Sequence, residues 1–194
     1  MKTLACVVGF TVLLFSQFAG AADGRFGGAG QIAISSDLLL SIQAASTKPP
    51  GGEATSSTTI VVRPSADYFV IDSLSVGGLV GFGYTKAEAS KLTTWEIGPR
   101  VGYGVALAET VSLWPKLGLV YRSATSSTTV DATDRMLSLQ FVAPILLHLV
   151  PHFFVGFGPD FSIDLTSSRT IAGQSSDGSK TTTIGLESVI GGWF

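Results

Sequence analysis

The stretch that decides the fold is residues 141–158, "FVAPILLHLVPHFFVGFG". It is apolar over a length close to that of a membrane-spanning helix, but two prolines, two histidines and two glycines make it a poor helix former. The residues alternate instead. On both sides of Pro151 and His152, odd-numbered positions are mostly bulky and apolar, and the small and polar residues fall mainly on even-numbered positions. This period of two predicts two β-strands joined by a tight turn.

The same alternation continues through six further segments, which gives eight strands in total. In each strand one face carries Leu, Ile, Val, Phe, Tyr or Trp, and the opposite face carries mainly Gly, Ala, Ser and charged residues. Leu79, in the third strand, is an exception to this pattern. The predicted strands cover residues 32–43, 60–70, 75–84, 95–107, 111–122, 137–149, 153–165 and 183–194.

Residue volume decides which face points outward. A soluble barrel directs its large apolar residues inward, but here eight strands of large residues would overfill the interior and leave a surface of glycines. The mean hydropathy of +0.43 and a charged fraction of 13% are also too apolar for a soluble surface. The sequence therefore predicts an all-β fold, an eight-stranded antiparallel up-and-down transmembrane β-barrel with a small, polar interior. Because an open edge in lipid leaves backbone groups unpaired, we expect the last strand to pair with the first.

The connections between the predicted strands alternate in length. Three are tight, at residues 71–74, 108–110 and 151–152. This alternation predicts short turns in the periplasm and long loops outside the cell. The long, polar connections are residues 45–58, 86–92, 123–134 and 167–180.

The start of the chain has the features of a secretory signal peptide. Lys2 precedes an apolar run over residues 4–18, and an A-x-A cleavage site follows at residues 19–21. We therefore expect a signal peptide at residues 1–21, a short periplasmic N-terminal segment at 22–29 and the barrel domain at 30–194. The only cysteine, Cys6, lies in the signal peptide, so the mature chain is expected to form no disulfide.

Aromatic residues on the outward face are expected to form two girdles, because Tyr and Trp favour membrane interfaces. One group lies next to the long loops and the other lies next to the short turns or the last residue. The first group is Tyr84, Trp95 and Tyr121, and the second is Tyr68, Tyr103, Phe153 and Phe194.

The chain resembles the small eight-stranded outer-membrane barrels, the OmpA transmembrane-domain and OmpX type. The most specific motif is the last strand, in which Phe194 follows Ile190, Leu186 and Ile184 on one face. The resemblance implies that this strand is the signal read by the barrel-assembly machinery. It also implies a location in the bacterial outer membrane of the cell envelope.

The inward face carries charges that are expected near mid-height of the barrel. Buried charges must be paired or hydrogen-bonded, because an isolated charge costs several kcal/mol. We therefore expect a balanced charge network that plugs the lumen. The alternative is a porin-like narrow channel for protons, ions or small solutes along this polar column. The predicted network is Asp37, Arg63, Arg100, Lys116, Asp160 and Glu187, with Asp67, Glu96, Gln140 and Asp164 in adjoining layers.

The sequence contains few residues that suggest catalysis. His148 and His152 have the H-x-x-x-H spacing that binds zinc on a helix, but one ends a strand and the other lies in a turn. We expect interfacial histidines at the periplasmic rim, with no metal site, no cofactor and no catalytic residues. A lipid A-modifying barrel enzyme is the third hypothesis, and it would place Ser, His and an acid at the opposite rim.

The favoured hypothesis is a non-enzymatic outer-membrane β-barrel protein with a plugged polar lumen and Ser/Thr-rich extracellular loops, in a structural or surface-interaction role. Basic loop residues could contact lipopolysaccharide phosphates, although the mixed loop charges nearly cancel. The expected partners are outer-membrane lipid and the barrel-assembly machinery. We expect a monomer that binds no nucleic acid.

Overall fold

The computed structural model describes residues 25–37, 41–47, 55–87, 90–127 and 131–194. Every regular element in this part of the chain is a β-strand. Within these ranges no helix is long and apolar enough to cross a membrane. The strands are β1 (Ile32–Ser36), β2 (Ser41–Thr47), β3 (Thr55–Val62), β4 (Pro64–Ile71), β5 (Leu74–Ala87), β6 (Lys91–Tyr103), β7 (Val105–Ala108), β8 (Val111–Leu113), β9 (Lys116–Ser127), β10 (Ala132–Val142), β11 (Ile145–Val150), β12 (Phe153–Ile171), β13 (Gln174–Asp177) and β14 (Thr182–Trp193).

Eight of these strands form a closed ring, in the order β1, β4, β5, β6, β9, β10, β12, β14 and back to β1. Every neighbouring pair in the ring is antiparallel. The six remaining strands lengthen the wall: β7, β8 and β11 at one end, and β2, β3 and β13 at the other. The prediction of an all-β, eight-stranded antiparallel up-and-down barrel is confirmed.

The register fixes the tilt of the strands. Paired residues followed around the ring from Ile184 return to β14 at Phe194, ten residues further along the chain. Eight tilted strands with such a stagger enclose an interior that side chains can just fill. The lumen is therefore a packed space, and its contents decide whether anything can pass.

The two ends of the barrel differ. The turn end carries three two-residue turns, at residues 72–73, 109–110 and 151–152. Ser73 and His152 occupy positive φ angles of 69° and 65° there. The opposite end, called the hairpin end, carries the remaining connections of the ring.

The predicted long loops are largely wrong, because most of their residues lie in strands. β5 and β6 stay paired out to Lys86 and Lys91, and β12 and β13 close on a two-residue turn at Ala172 and Gly173. Polar composition indicated loops, but Ser, Thr and Val also pair well across strands. Threonine hydroxyls meet across two of these pairs, Thr59 with Thr85 at 3.0 Å and Thr125 with Thr133 at 3.3 Å. Within predicted loop 45–58, residues 48–54 lie outside the described chain.

The alternation of faces agrees with the predicted parity. In β4 and β6, for example, odd and even positions alternate between exposed and buried towards the turn end. Tyr103 is 54% exposed, whereas its neighbours Gly102 and Gly104 are buried. Leu79, the exception in the sequence pattern, is buried in the lumen.

The interior is not uniformly small and polar, which corrects the prediction. Near the turn end the lumen is filled by the aromatic cluster, against which Phe26 also packs. Glycines on facing positions make room for the rings: a Cβ at Gly102 would lie 2.6 Å from Trp114 Nε1, and one at Gly191 would lie 2.6 Å from Phe154 Cζ. The aromatic cluster consists of Ala33, Phe69, Trp114, Leu146, Phe154, Val189 and Trp193.

Gly158→Ala is expected to destabilise the barrel by about 1–3 kcal/mol, the usual cost of overpacking. The added Cβ would lie 2.6 Å from Pro144 Cα, which is backbone that cannot move aside. Gly185→Ala is the matched control, since a Cβ there meets nothing within 4 Å, and we expect a change within about 0.5 kcal/mol. Urea unfolding of the refolded protein measures both. Equal midpoints for the two variants would contradict the packing described for Gly158.

Candidate functional site

The lumen next to the aromatic cluster holds four buried charged groups, Asp37, Asp67, Arg100 and Lys116, here called the turn-side charge layer. Arg100 forms ion pairs with both Asp37 and Asp67, and its Nε donates to Asp67 Oδ1 at 3.0 Å. Lys116 Nζ lies 2.8 Å from Asp37 Oδ1. Two acids and two bases therefore neutralise one another in the interior of the barrel.

Small residues position this layer. The inward glycines beside it leave room for the longer side chains: a Cβ at Gly118 would lie 3.1 Å from Arg100 Cβ. Two serines supply further oxygen partners. Arg100 Nη2 donates to Ser65 Oγ at 2.8 Å, and Ser65 Oγ lies 2.8 Å from Ser35 Oγ. Arg100 is thus held by a hydrogen bond to Ser65 as well as by its two counter-ions, as burial requires.

A second layer lies nearer the hairpin end and consists of Arg63, Glu96, Arg122, Gln140 and Glu187, the hairpin-side charge layer. Arg63 lies at its centre, with Nη1 3.1 Å from Glu187 Oε2 and Nε 3.3 Å from Glu96 Oε2. Arg63 Nη2 donates to Gln140 Oε1 at 2.5 Å. Arg122 Nε lies 3.1 Å from Glu96 Oε1, so one carboxylate serves two guanidinium groups.

Five of the six charges predicted for the network are distributed between the two layers. Asp37, Arg100 and Lys116 lie together in the turn-side layer, and Arg63 and Glu187 lie together in the hairpin-side layer.

The sixth, Asp160, accepts a hydrogen bond from Gln140 Nε2 at 3.0 Å and forms no ion pair with any base in the described ranges. Among the residues expected in adjoining layers, Asp67 and Glu96 are direct ion-pair partners. Asp164 instead accepts hydrogen bonds from Ser138 Oγ at 2.6 Å and from the Thr181 amide at 2.9 Å. Arg122 was missed, although its even position in the fifth predicted strand already assigned it to the inward face.

The N-terminal segment closes the turn end. Residues 25–29 are the described part of the predicted segment 22–29, and they fold into the mouth of the barrel. The Gln31 side chain holds them, because its oxygen accepts from the amides of Gly27 and Gly28 at 2.8 and 3.1 Å. The ring of Phe26 lies 5.1–5.6 Å from five other rings, which are those of Phe69, Trp114, His148, Phe154 and Trp193.

The aromatic cluster and the turn-side layer are in direct contact. Lys116 Nζ lies 4.7 Å from the centre of a Trp114 ring, and the Arg100 guanidinium lies 5.8 Å from it. Cations over an indole face are attracted by its quadrupole, more so where water is excluded. The two groups therefore form one continuous packed block across the lumen. Sequence reasoning missed Trp114 and Phe26 as parts of this block.

The predicted girdle residues lie on the outer wall at two levels. Trp95 and Tyr121 lie side by side towards the hairpin end, with ring centres 5.2 Å apart. The girdle residues nearer the turn end include Tyr68, which is 48% exposed. Tyr84 lies in β5 with the first group, and Tyr103 and Phe153 belong to the second.

The residues of the predicted assembly signal occupy the last strand. The backbone of Phe194 exchanges two hydrogen bonds with that of Ile32, at 2.9 and 3.0 Å. Ile190 pairs with Ser36 across the seam between the last and first strands. Leu186 points outward from β14 and is strongly exposed.

The two histidines lie at the turn end. His148 Nε2 lies 2.8 Å from Ser112 Oγ, and its Nδ1 has no hydrogen-bond partner. His152 Nδ1 lies 3.0 Å from the Trp193 carbonyl oxygen. Among the described residues no acid hydrogen-bonds to His148 Nδ1, as the orienting acid of a nucleophilic triad would. In the described ranges no three His, Cys, Asp or Glu side chains are grouped to hold a metal ion.

Comparisons with known proteins return structural likenesses alone. No protein-family model matches the chain, and no curated protein matches it. Among solved structures it is similar to the translocator domain of the autotransporter NalP from Neisseria meningitidis, with 11% identity, 95% of this chain and 70% of that one covered, and a TM-score of 0.48. It is also similar to Neisserial surface protein A, with 15% identity, 84% and 92% covered, and a TM-score of 0.45. The functional argument therefore depends on the residues of this chain.

Asp37→Asn is expected to destabilise the barrel by about 3–5 kcal/mol, because it leaves Lys116 and part of Arg100 as buried, uncompensated charge. Asp134→Asn is the control. Asp134 lies 3.7 Å from Arg169 in a largely exposed ion pair, which is worth at most about 1 kcal/mol.

Urea unfolding of the refolded variants measures the two effects. Adding Lys116→Met to Asp37→Asn should recover part of the loss, because it removes the orphaned ammonium group. Equal stability of Asp37→Asn and Asp134→Asn would contradict the structural role of the turn-side layer.

Proposed function

We propose that the protein is a non-enzymatic β-barrel of the bacterial outer membrane, with a sealed lumen and a structural or surface-interaction role. The observation that carries this proposal is the reversal of the usual burial pattern. Buried charged residues occupy much of the lumen beside the aromatic cluster, and large apolar residues cover the surface. In a protein surrounded by water, the exposed apolar side chains would be unfavourable. The acyl chains of a bilayer favour such side chains on the outer face.

The outer wall supports the membrane assignment. Between the two aromatic levels, none of the described outward-facing residues in the ring strands is charged. Such a continuous apolar belt greatly exceeds the patches found on soluble monomers. Along β6, the stretch from Trp95 to Tyr103 lies within the range of about 9–11 tilted residues with which a strand crosses a bilayer. Closure of the ring also gives the backbone N–H and C=O groups within the belt hydrogen-bond partners, wherever neighbouring strands are paired.

The contents of the lumen support a sealed barrel. The hairpin-side layer, the turn-side layer and the aromatic cluster follow one another along the axis, and Phe26 closes the end. An eight-stranded barrel has little space beyond its own side chains. The competing function, a narrow channel for protons, ions or small solutes, would require these paired groups to separate during passage.

The strands continue past the girdle residues at the hairpin end, and these extensions supply the surface for interaction. By analogy with other barrels of this kind, the turn end would face the periplasm and the hairpin end would face outward. The hairpins are polar, and they carry both signs of charge, as in the pair of Asp134 and Arg169. We propose outer-membrane lipid as the surrounding partner, with exposed basic groups such as Arg135 available to lipopolysaccharide phosphates.

The purified, folded protein is expected to show no steady ionic conductance in planar bilayers. A heat-dependent shift in gel migration, measured on the same sample, would first establish that the barrel is folded, and a porin in the same membrane would serve as the positive control. A sustained, salt-dependent current from folded protein would favour the narrow channel and contradict the sealed lumen. Failure to enter lipid vesicles at all would contradict the membrane assignment.

A further inference from the structure

The outer faces of β5 and β6 carry a row of side chains whose chemistry changes in order along the barrel axis. Alternate residues of a strand point to the same face, so each outward residue of β5 stands beside one of β6. The row begins with two lysines at the hairpin end, continues with aromatic residues and ends with aliphatic and small residues. Its cross-strand pairs, here called the β5–β6 row, are Lys86–Lys91, Tyr84–Thr93, Phe82–Trp95, Val80–Ile97 and Gly78–Pro99.

Lys86 and Lys91 begin the row as a pair of like charges. They lie directly opposite each other in the register, and both are exposed. Among the described residues, neither lysine forms an ion pair. Like charges in this position destabilise a sheet, whereas an anion held between the two ammonium groups replaces the repulsion with two attractions. Directly opposed Cα atoms lie about 4.5–5.5 Å apart, so both flexible side chains can reach one anionic group.

A shallow apolar depression of about 600 Å³ lies lower on the same row. Ala66 and Gly78, which are paired across β4 and β5, form its floor, because neither has a side chain longer than a methyl group. Val80, Ile97 and Pro99 stand around it. A hydrocarbon chain that lies there contacts the wall on more sides than a chain on a flat surface, and each added contact contributes dispersion energy. The depression therefore favours an acyl chain.

The distance between the lysines and the depression matches one leaflet of a bilayer. Lys86 and Gly78 are eight positions apart on β5, which is about 26 Å along a strand at about 3.3 Å per residue. At a tilt of about 40° this is about 20 Å along the barrel axis. A bilayer with its head groups is about 40–45 Å thick, so half of it has nearly the same length. A lipid with its head group at the lysines therefore reaches the depression with its acyl chain.

The chemistry of the row selects a phosphorylated lipid. A phosphate group accepts charge-assisted hydrogen bonds from lysine ammonium groups. Tyr84 and Trp95, which follow the lysines along the row, favour the interface where such head groups lie. A soluble anion would use the lysines without the depression, and a neutral lipid would use the depression and leave the lysines repelling each other. An anionic lipid uses both ends of the row.

We propose that the β5–β6 row is a binding site for one phosphorylated lipid of the surrounding leaflet. The phosphate accepts hydrogen bonds from Lys86 and Lys91, and the head group lies beside Tyr84 and Trp95. One acyl chain follows the row and ends in the depression at Gly78. This inference rests on the membrane location proposed above and names the lipid that this face of the barrel holds.

Two lipids with the same chains test the head group: dioleoyl phosphatidic acid and dioleoylglycerol, which differ only by the phosphate. Folded protein in a neutral detergent is titrated with each, and native mass spectrometry counts the bound molecules. We expect one phosphatidic acid per barrel, held about tenfold more tightly than dioleoylglycerol, because two ammonium groups distinguish them. Equal affinity for the two lipids overturns the proposal. Displacement of the lipid by an equal concentration of inorganic phosphate shows an anion site without a lipid, and also overturns it.

Two pairs of variants locate the site. Lys91→Gln should remove most of the preference for phosphatidic acid, whereas Lys180→Gln, the same change at an exposed lysine outside β5 and β6, should keep it. Ala66→Leu should fill the depression and lower the affinity for both lipids severalfold. Ala143→Leu adds the same bulk just after β10, outside the depression, and should not. Identical affinities within either pair overturn the proposal.

An acid of the chain itself is the competing partner of the lysines. Glu88 lies between them in the sequence and outside the described residues. In Glu88→Gln the preference for phosphatidic acid should be kept or increased. A preference that appears only in Glu88→Gln and not in the natural chain shows that Glu88 already neutralises the pair, and overturns the proposal.

A prior measurement separates this inference from the proposed function. Flotation with vesicles of neutral lipid reports membrane insertion, which does not depend on the phosphate. Failure of the natural chain to float counts against the membrane assignment. Insertion without a preference for phosphatidic acid overturns the lipid site alone.

Discussion

The structure depends on a single constraint, which is that charges buried in the lumen must find partners there. Arg100 and Lys116 are buried, so Asp37, which follows β1, and Asp67 in β4 must stand at matching heights for the ion pairs to form. Those partners come from widely separated parts of the chain. The turn-side layer therefore links sequence-distant strands, and removal of one partner leaves a costly unpaired charge. Its geometry is tied to the register around the whole ring.

Small residues make this arrangement possible. An eight-stranded barrel leaves little interior volume, and the lumen accommodates long or wide side chains because glycines lie opposite or beside them. Gly118 adjoins Arg100, and Gly102 and Gly191 adjoin the rings of Trp114 and Phe154. Space, charge pairing and aromatic packing are thus consequences of one pattern, in which each strand alternates between an outward apolar face and a face for the lumen.

Much of the fold could be predicted from the sequence, because alternation is a local property of each strand. It gave the strand number, the outward position of Trp95 and the inward position of Arg100. Alternation could not predict which side chains meet across the lumen, since those contacts depend on the register between strands. Asp67 and Glu96 were therefore expected beside the ion pairs and are members of them. The pattern does not predict Trp114 in the lumen, because it associates bulk with the outer face. It predicts loops at the polar hairpins, because hydrophilicity does not distinguish a loop from a solvated strand.

The central claim is that the apolar face meets lipid while the lumen is shielded from it, and tryptophan fluorescence in vesicles with brominated acyl chains tests it most directly. Trp95 is 46% exposed on the outer wall, whereas Trp114 and Trp193 are buried inside. Brominated chains should quench a variant that retains only Trp95 strongly, and Trp95→Phe should be nearly insensitive to them. Equal quenching of the two variants would show that the faces are assigned the wrong way round.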